Sequence, residues 1–308
     1  MIRMEGLTRK FGAVTAVNEV SLQVDRGDIF GLVGPDGAGK TTLLRLACGL
    51  INPTSGRVTL FGGEKDTGSF GYMPQRFSLC GDLTVIENIE FFASLYQIDK
   101  KTIKKRAGEI LELTKLVPFK TRFADALSGG MKQKLALTCA LVIQPEMLIL
   151  DEPTFGVDPE FRKEFWRILY LLNREGMTIF LSTPYMDEAE LCRQVALLDQ
   201  GRIVAVGAPD QLKKQIKHKI IEIKADAKDL DFLGELPEVA DASFYGDRYH
   251  VAVLAVEPAK AAIASVLAAK GITVSITEEI TPSMEDVFVS LTEKAVSMAY
   301  GWVPQDVA

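Results

Sequence analysis

The 308-residue sequence predicts an α/β fold whose larger domain is built on a mainly parallel sheet, and three observations carry that expectation. Short apolar runs alternate with helix-patterned segments along most of residues 1–215. The run Ile29-Phe30-Gly31-Leu32-Val33 feeds straight into the glycine-rich loop Gly34-Pro35-Asp36-Gly37-Ala38-Gly39-Lys40-Thr41. Further on, Met147 to Leu150 read as a strand buried on both faces and end on two carboxylates, Asp151 and Glu152.

Taken in order, Met1 to Glu5 enter a strand pattern at once, and antiparallel strands are expected at the N-terminus. No secretory-signal core is visible there. Thr41–Cys48 has the spacing of a helix with Leu43, Leu44 and Ala47 on its apolar face. Later strands are expected at Phe70–Met73, Met147–Leu150, Met177–Ser182 and Val195–Asp199, and a helix carries Phe161, Phe165, Ile168, Leu169 and Leu172. Residues 84–142 break the alternation with helices at Thr84–Tyr96, Thr102–Leu116 and Gly129–Val142, which reads as a helical insertion over about residues 76–142. A lysine-rich, helix-like stretch, Gln211–Lys219, leads out of the first domain (1–215) into a small α/β unit (216–295). That unit shows a strand at Arg248–Leu254, an alanine-rich helix at Pro258–Lys270 closed by Gly271, and a strand at Ile272–Ile276. It ends in a helix opened by Ser283-Met284-Glu285-Asp286 and facing inward through Met284, Val287, Phe288 and Leu291. Residues 296–308 read as a frayed tail.

Composition narrows the function classes. Charged residues are 25% and hydrophobic ones 47%, which suits a globular chain and excludes disorder. The net charge of −6 is uneven, −7 over residues 217–308 against +1 over 1–216, and no basic stripe points to nucleic acid. Cys48, Cys80, Cys139 and Cys192 are scattered, with only His218 and His250 for company, so free thiols in a reducing cytosol are expected rather than zinc. No apolar run approaches the roughly 18 residues of a membrane span. If the chain works at a membrane, another subunit supplies the spans.

The chemistry lies in three segments. A strand, a glycine loop and a helix in succession are the context of a phosphate-binding P-loop. Backbone N–H groups of residues 34–41 would face the phosphates, with Thr42 beside them. Lys40 would reach the β and γ phosphates, Thr41 would bind magnesium through its hydroxyl, and the helix N-terminus adds its dipole. Asp151 would hold the magnesium beside Thr41, while Glu152 is placed to polarise an attacking water. A plain glycine turn and an acidic strand end are the alternatives, and their occurrence together argues against both. The third segment, Leu127-Ser128-Gly129-Gly130, opens a helix that Ser128 caps and whose glycines leave N–H groups bare for an anion. That is one phosphate site more than a single nucleotide needs.

Over residues 1 to about 215 the chain resembles the nucleotide-binding subunit of ATP-binding-cassette (ABC) transporters. The resemblance implies a P-loop NTPase core that binds and hydrolyses ATP with Mg²⁺. Ser128, Gly129, Gly130 and Gln133 match the signature segment, which completes the ATP site of the opposite subunit in a head-to-tail dimer. Phe11 matches an aromatic that stacks on adenine, with core packing as the alternative. Gln75 in Tyr72-Met73-Pro74-Gln75 matches a magnesium-sensing glutamine, and Asp158 a dimer-contacting aspartate. Leu83-Thr84-Val85, Gly129 to Gln133 and Tyr185 to Glu190 look most like the ABC-2 exporter branch, whose partner is a separate membrane-spanning permease. Residues 217–295, closing on Pro282 to Phe288, resemble the small accessory domain of that branch. The implied place is the cytoplasmic face of the cell membrane, held peripherally, with the helical insertion, including Phe77, Leu79, Leu83 and Phe91, passing motion to the permease; for each of those four, core packing is the favoured alternative. Soluble ABC ATPases acting on ribosomes or DNA are the other class; the family's paired cassettes or long coiled-coil insertion are not visible.

Two positions depart from the family. Asp36 stands where asparagine is usual and adds a carboxylate near the phosphates. Pro184 follows Ser182-Thr183 where the family has a histidine that contacts the γ-phosphate, and proline supplies neither a side-chain donor nor a backbone N–H. Glu188 and Glu190 would repel phosphate and do not replace it. A weakened site in this chain, paired with a second ATP-binding subunit, is the expectation; retention of Glu152 argues the other way.

Overall fold

The computed structural model describes residues 1–61, 69–76, 79–227 and 229–300, with only the helical backbone over 293–300. Phe77 and residues 301–308 of the expected tail lie outside the described residues. The chain divides into two compact units, Met1–Gly207 and Ala208–Ala308.

The first unit opens with β1 (Ile2–Phe11) and β2 (Val14–Val24), a hairpin, followed by β3 (Ile29–Val33) and α1 (Lys40–Ala47). β4 (Ser55–Leu60) pairs antiparallel with β1 and completes a three-stranded sheet of order β2-β1-β4. After β5 (Phe70–Met73) the chain enters the helical insertion: α2 (Val85–Ser94), α3 (Lys100–Thr114) and α4 (Gly129–Leu141). Thr84 and Glu87 close a reciprocal cap on α2, and Asp99 caps α3 by accepting from Lys101 and Thr102 N–H groups. Val85, Ile89, Ile103, Leu111 and Leu135 bury a separate core among these helices.

The chain then returns through β6 (Met147–Asp151), α5 (Pro159–Arg174), β7 (Thr178–Thr183), the single turn α6 (Met186–Ala189), β8 (Gln194–Asp199) and β9 (Arg202–Gly207). The main sheet has order β5-β6-β7-β3-β8-β9, parallel except for β9. Every residue of β3, β6 and β7 is buried, as strands covered on both faces require. Leu43, Leu44 and Leu46 of α1 pack between the two sheets, against Met4 and Leu22 on one side and Leu32, Ile149 and Phe180 on the other.

The second unit holds α7 (Pro209–Lys213), β10 (Lys219–Ala225), β11 (Val239–Tyr245), β12 (Arg248–Val253), α8 (Val256–Ala269), β13 (Val274–Ile280) and α9 (Met284–Tyr300). Its sheet is antiparallel, of order β11-β12-β10-β13. Tyr249, Val251 and Val253 bury one face of β12 against Ile263 and Leu267 of α8. The helix expected at Gln211–Lys219 is shorter than its pattern implied: α7 stops at Lys213, and Lys219 already belongs to β10. Pro209 starts α7 early, and pairing of Lys219 with Val253 claims the following residues for the sheet. Ser283 caps α9, its hydroxyl accepting from Asp286 N while the Asp286 carboxylate accepts from Ser283 N. Met284 and Val287 are buried, Phe288 and Leu291 half-buried. α9 runs to Tyr300, past the position where fraying was expected, because the segment continues without a breaker.

Cys48, Cys139 and Cys192 are buried free thiols, and Cys80 is half-buried. No helix among the described residues is long and apolar enough to cross a membrane.

Candidate active site

Strand register gathers the glycine loop and the carboxylate pair. Val33, the last residue of β3, lies level with Thr183 of β7, and Ser182 of β7 lies level with Asp151 of β6. The carboxyl ends of adjacent parallel strands therefore open on one edge, where sheets of this kind hold ligands.

The glycine loop fits only as glycine at its tightest points. A Cβ on Gly34 would sit 2.1 Å from the Leu198 carbonyl oxygen, and one on Gly39 would sit 2.3 Å from that of Ala16. Gly39 also holds φ 105°, in the left-handed region, immediately before α1. No side chain caps α1, so its first N–H groups are left for another acceptor.

Lys40 is 3% exposed and donates to the carbonyls of Gly34 (2.8 Å) and Pro35 (3.0 Å). Its ammonium also pairs with Glu152 Oε1 at 3.1 Å. Gln75 Nε2 donates to the other Glu152 oxygen at 2.7 Å. Glu152 itself adopts φ 48°, a strained conformation for a side-chain-bearing residue, and its N–H donates to Ser182 Oγ at 3.0 Å. Asp151 Oδ1 accepts from Thr41 Oγ1 (3.0 Å) and Ser182 Oγ (2.7 Å). Asp151 Oδ2 is buried with no hydrogen-bond partner among the described residues. The negative field is felt nearby: burial, and then the Asp151 charge, push the Cys48 thiol and the Tyr72 hydroxyl each up to about 12. A buried carboxylate oxygen left open beside a threonine hydroxyl is a donor set for a hard divalent cation.

Asp36, Gly37, Gly39, Lys40, Thr41, Thr42, Gln75 and Glu152 share one open cleft with Ala16 of β2. Asp36 is exposed at that cleft, and Ala38 is buried behind it.

The signature segment is elsewhere. Ser128 caps α4, its hydroxyl accepting from Met131 N, and Gly129 and Gln133 line a second cleft. Gln75 borders both clefts. A Cβ on Gly130 would meet the Phe161 ring at 2.5 Å, whereas one on Gly129 would meet nothing within 4 Å. Asp158 caps α5 by accepting from Phe161 N at 2.8 Å. Phe11 is 47% exposed, so core packing is not its role; the Arg9 guanidinium lies 4.6 Å from its ring centre, and it does not line the glycine-loop cleft.

Pro184 follows β7, where its neighbours form a buried network. Glu188, 1% exposed, accepts from Thr183 Oγ1 (2.6 Å), Thr154 Oγ1 (2.7 Å) and Arg162 Nε (3.2 Å). Arg162 also bridges both Asp187 oxygens and lies over the Tyr185 ring at 4.2 Å. Glu188 thus ties the loop after Glu152, the end of β7 and the start of α5 together. Sequence reasoning weighed it only as a stand-in for histidine and missed this, as it missed the double role of Ser182. The partners are distant in sequence, and only the Ser182-Thr183 pair beside the strand end gave any signal.

Residues 17–155 match the family described as ABC transporter, and residues 207–292 match the C-terminal domain of ATP-binding proteins described as DrrA1-3-like. Over 303 residues the chain is 39% identical to the probable multidrug ABC transporter ATP-binding protein YbhF of Escherichia coli K12, covering 94% of this chain and 52% of that protein. It therefore spans about half the length of that relative. It is 38% identical over 250 residues to the Nod factor export ATP-binding protein I of Cupriavidus pinatubonensis, covering 78% of this chain and 76% of that one. A solved dimeric ATP-binding cassette in a post-hydrolysis state, bound to ADP and phosphate, matches with a TM-score of 0.61 at 26% identity, over 68% of this chain and 98% of that one. Likeness of this extent, laid over a glycine loop and a buried carboxylate pair assembled as described, makes the chain a member of the ABC transporter family, among its ATP-binding proteins.

Proposed function

We propose that the chain is the ATP-binding, ATP-hydrolysing subunit of an ABC-2 type exporter. The observation that supports this most is the convergence of Lys40, Thr41, Gln75 and Glu152 on one cleft, with Asp151 buried behind Thr41 and accepting from its hydroxyl at 3.0 Å. The glycine-loop N–H groups and Lys40 bind the phosphates, and Phe11 stacks on the base. Thr41, Asp151 and Gln75 would hold Mg²⁺, which when bound supplies charge neutralisation on the phosphates. Glu152 orients the attacking water and takes its proton.

Gly129 and Gln133 line a different cleft, with Ser128 and Gly130 beside them in sequence, which fits service of this segment to the ATP site of a second subunit, with Asp158 at the junction. A membrane-spanning permease is the remaining partner, and the chain sits peripherally on the cytoplasmic face of the membrane. Export is favoured by the match of residues 207–292 and by relatives named for multidrug and Nod factor transport. Equilibrium sedimentation of the Glu152→Gln variant tests the assignment: MgATP is expected to drive pairing. A variant that stays monomeric and binds no nucleotide refutes it.

Pro184 favours a second reading, a nucleotide-binding module of low turnover in a heterodimer. Glu188 is committed to Thr154, Thr183 and Arg162 and leaves the γ-phosphate without a side-chain donor at this corner. Pro184→His is expected to raise single-turnover hydrolysis at this chain's own site; unchanged turnover removes the low-turnover reading.

A further inference from the structure

The C-terminal unit carries a cavity of its own, of about 140 Å³. Ile220, Ala252 and Val289 form its apolar wall, and His218, Asp241, Tyr245, His250 and Asp286 its polar one, with His218 already partnered. An apolar cavity of about 150 Å³ accepts a benzene-sized guest, so the space suits one six-membered ring or a body of that bulk.

Most charges around it are matched internally. His250 is held by Asp286 Oδ1 at 3.0 Å and lies 3.6 Å from Glu222 Oε2, and its ring stacks on Tyr245 with centres 4.3 Å apart. Asp286 also accepts from the Ser283 N–H and hydroxyl, and Glu222 accepts from Arg248. Asp241 differs. It is half-buried, its Oδ2 accepts from the Ser243 hydroxyl at 2.7 Å, and no cation among the described residues pairs with it. A carboxylate without a counter-charge, set at a low-dielectric wall, concentrates negative potential in the cavity. The same field reaches Tyr245: burial first, then Asp286, Glu285 and Asp241, push its hydroxyl well above the usual range, so it stays a neutral donor.

These walls select by charge. An anion meets the carboxylates, and a neutral apolar guest leaves Asp241 desolvated beneath it. An ammonium or amidinium on an aromatic or compact apolar body satisfies both walls. We propose that this cavity is a binding site for a small organic cation, its charged head on Asp241 and its body against Tyr245 and the Ile220–Ala252–Val289 wall. Every residue involved lies in the second unit, so the site stands independently of the nucleotide reading.

The test is calorimetric titration of the full chain at neutral pH with benzylammonium, benzyl alcohol and benzoate, three guests of similar shape and different charge. Benzylammonium is expected to bind about tenfold more tightly than benzyl alcohol, and benzoate not at all. Asp241→Asn lowers the ammonium affinity to that of the alcohol, about tenfold, and leaves the alcohol unchanged. Ala252→Phe fills the space and abolishes both, while amide-exchange protection of β12 persists in either variant as a check that the second unit folds. If Ala252→Phe does not fold, Asp241→Asn decides alone. No binding of benzylammonium at millimolar concentration, benzoate binding as tightly as it, or an ammonium affinity unmoved by Asp241→Asn overturns the proposal.

Discussion

At the residue scale, two glutamates with opposite duties stand a few ångströms from the ends of neighbouring strands. Glu152 is held by Lys40 and Gln75 at the cleft, in a strained left-handed conformation. Glu152→Gln is expected to keep ATP binding and to slow single-turnover hydrolysis by at least about a hundredfold, the size of a lost general base. Glu188 does not line the cleft and accepts three hydrogen bonds from three segments. Glu188→Ala leaves the Arg162 guanidinium uncompensated on that side and is expected to cost about 3 kcal/mol in urea unfolding. Glu188→Gln, which keeps an acceptor, should lose less. The place of Glu152 at the cleft was legible because Asp151-Glu152 ends an apolar run downstream of a glycine loop. The role of Glu188 was not, since Thr154, Arg162 and Thr183 share no spacing with it and meet only once β7 and α5 have folded back.

Among elements, the contact between α4 and α5 matters most. Phe161 packs on Gly130, Lys134 donates to Glu164 at 2.6 Å, and Lys115 joins the same carboxylate. The helical insertion is thereby fastened to the helix that Asp158 caps. Gly130→Ala places a methyl inside the Phe161 ring contact and is expected to lower stability by about 1–3 kcal/mol, whereas Gly129→Ala, which meets open space, should unfold as the parent chain does. Thermal unfolding of the two variants side by side checks this. Local patterning made α1, α2, α4 and α5 legible, each through a cap or an apolar face. β4, β9 and β11 escaped notice because their residues are mostly exposed or half-buried, without clean alternation, and pairing with β1, β8 and β12 defines them instead.

On the scale of the whole chain, the two units respond to different variables. The second unit carries the His250–Asp286 pair between β12 and α9. Burial opposes the His250 charge, but the Asp286 hydrogen bond and charge, followed by the Glu222 charge, outweigh it and raise His250 above its ordinary 6.5. Folding therefore favours the protonated ring. Its contribution is complete below pH 6.5 and is lost as pH rises through the higher folded value. Amide-exchange protection of β12 and α9 is expected to fall over that window, and His250→Gln should flatten the profile. The first unit's cleft, by contrast, draws on Ala16 of β2, the loop after β3, the start of α1, Gln75 after β5 and Glu152 after β6, so it depends on the parallel sheet being complete.

The unequal burial of the four thiols has a practical outcome. Cys139 and Cys192 are shielded and held protonated by burial, as is Cys48, while Cys80 lies half-buried at the entrance to the helical insertion, where Asn88 brackets its backbone N–H and carbonyl. A maleimide dye added to the native chain is expected to attach once, and to the unfolded chain four times, by mass spectrometry. The sequence thus brings its own reporter position, already seated at the mouth of the helical insertion.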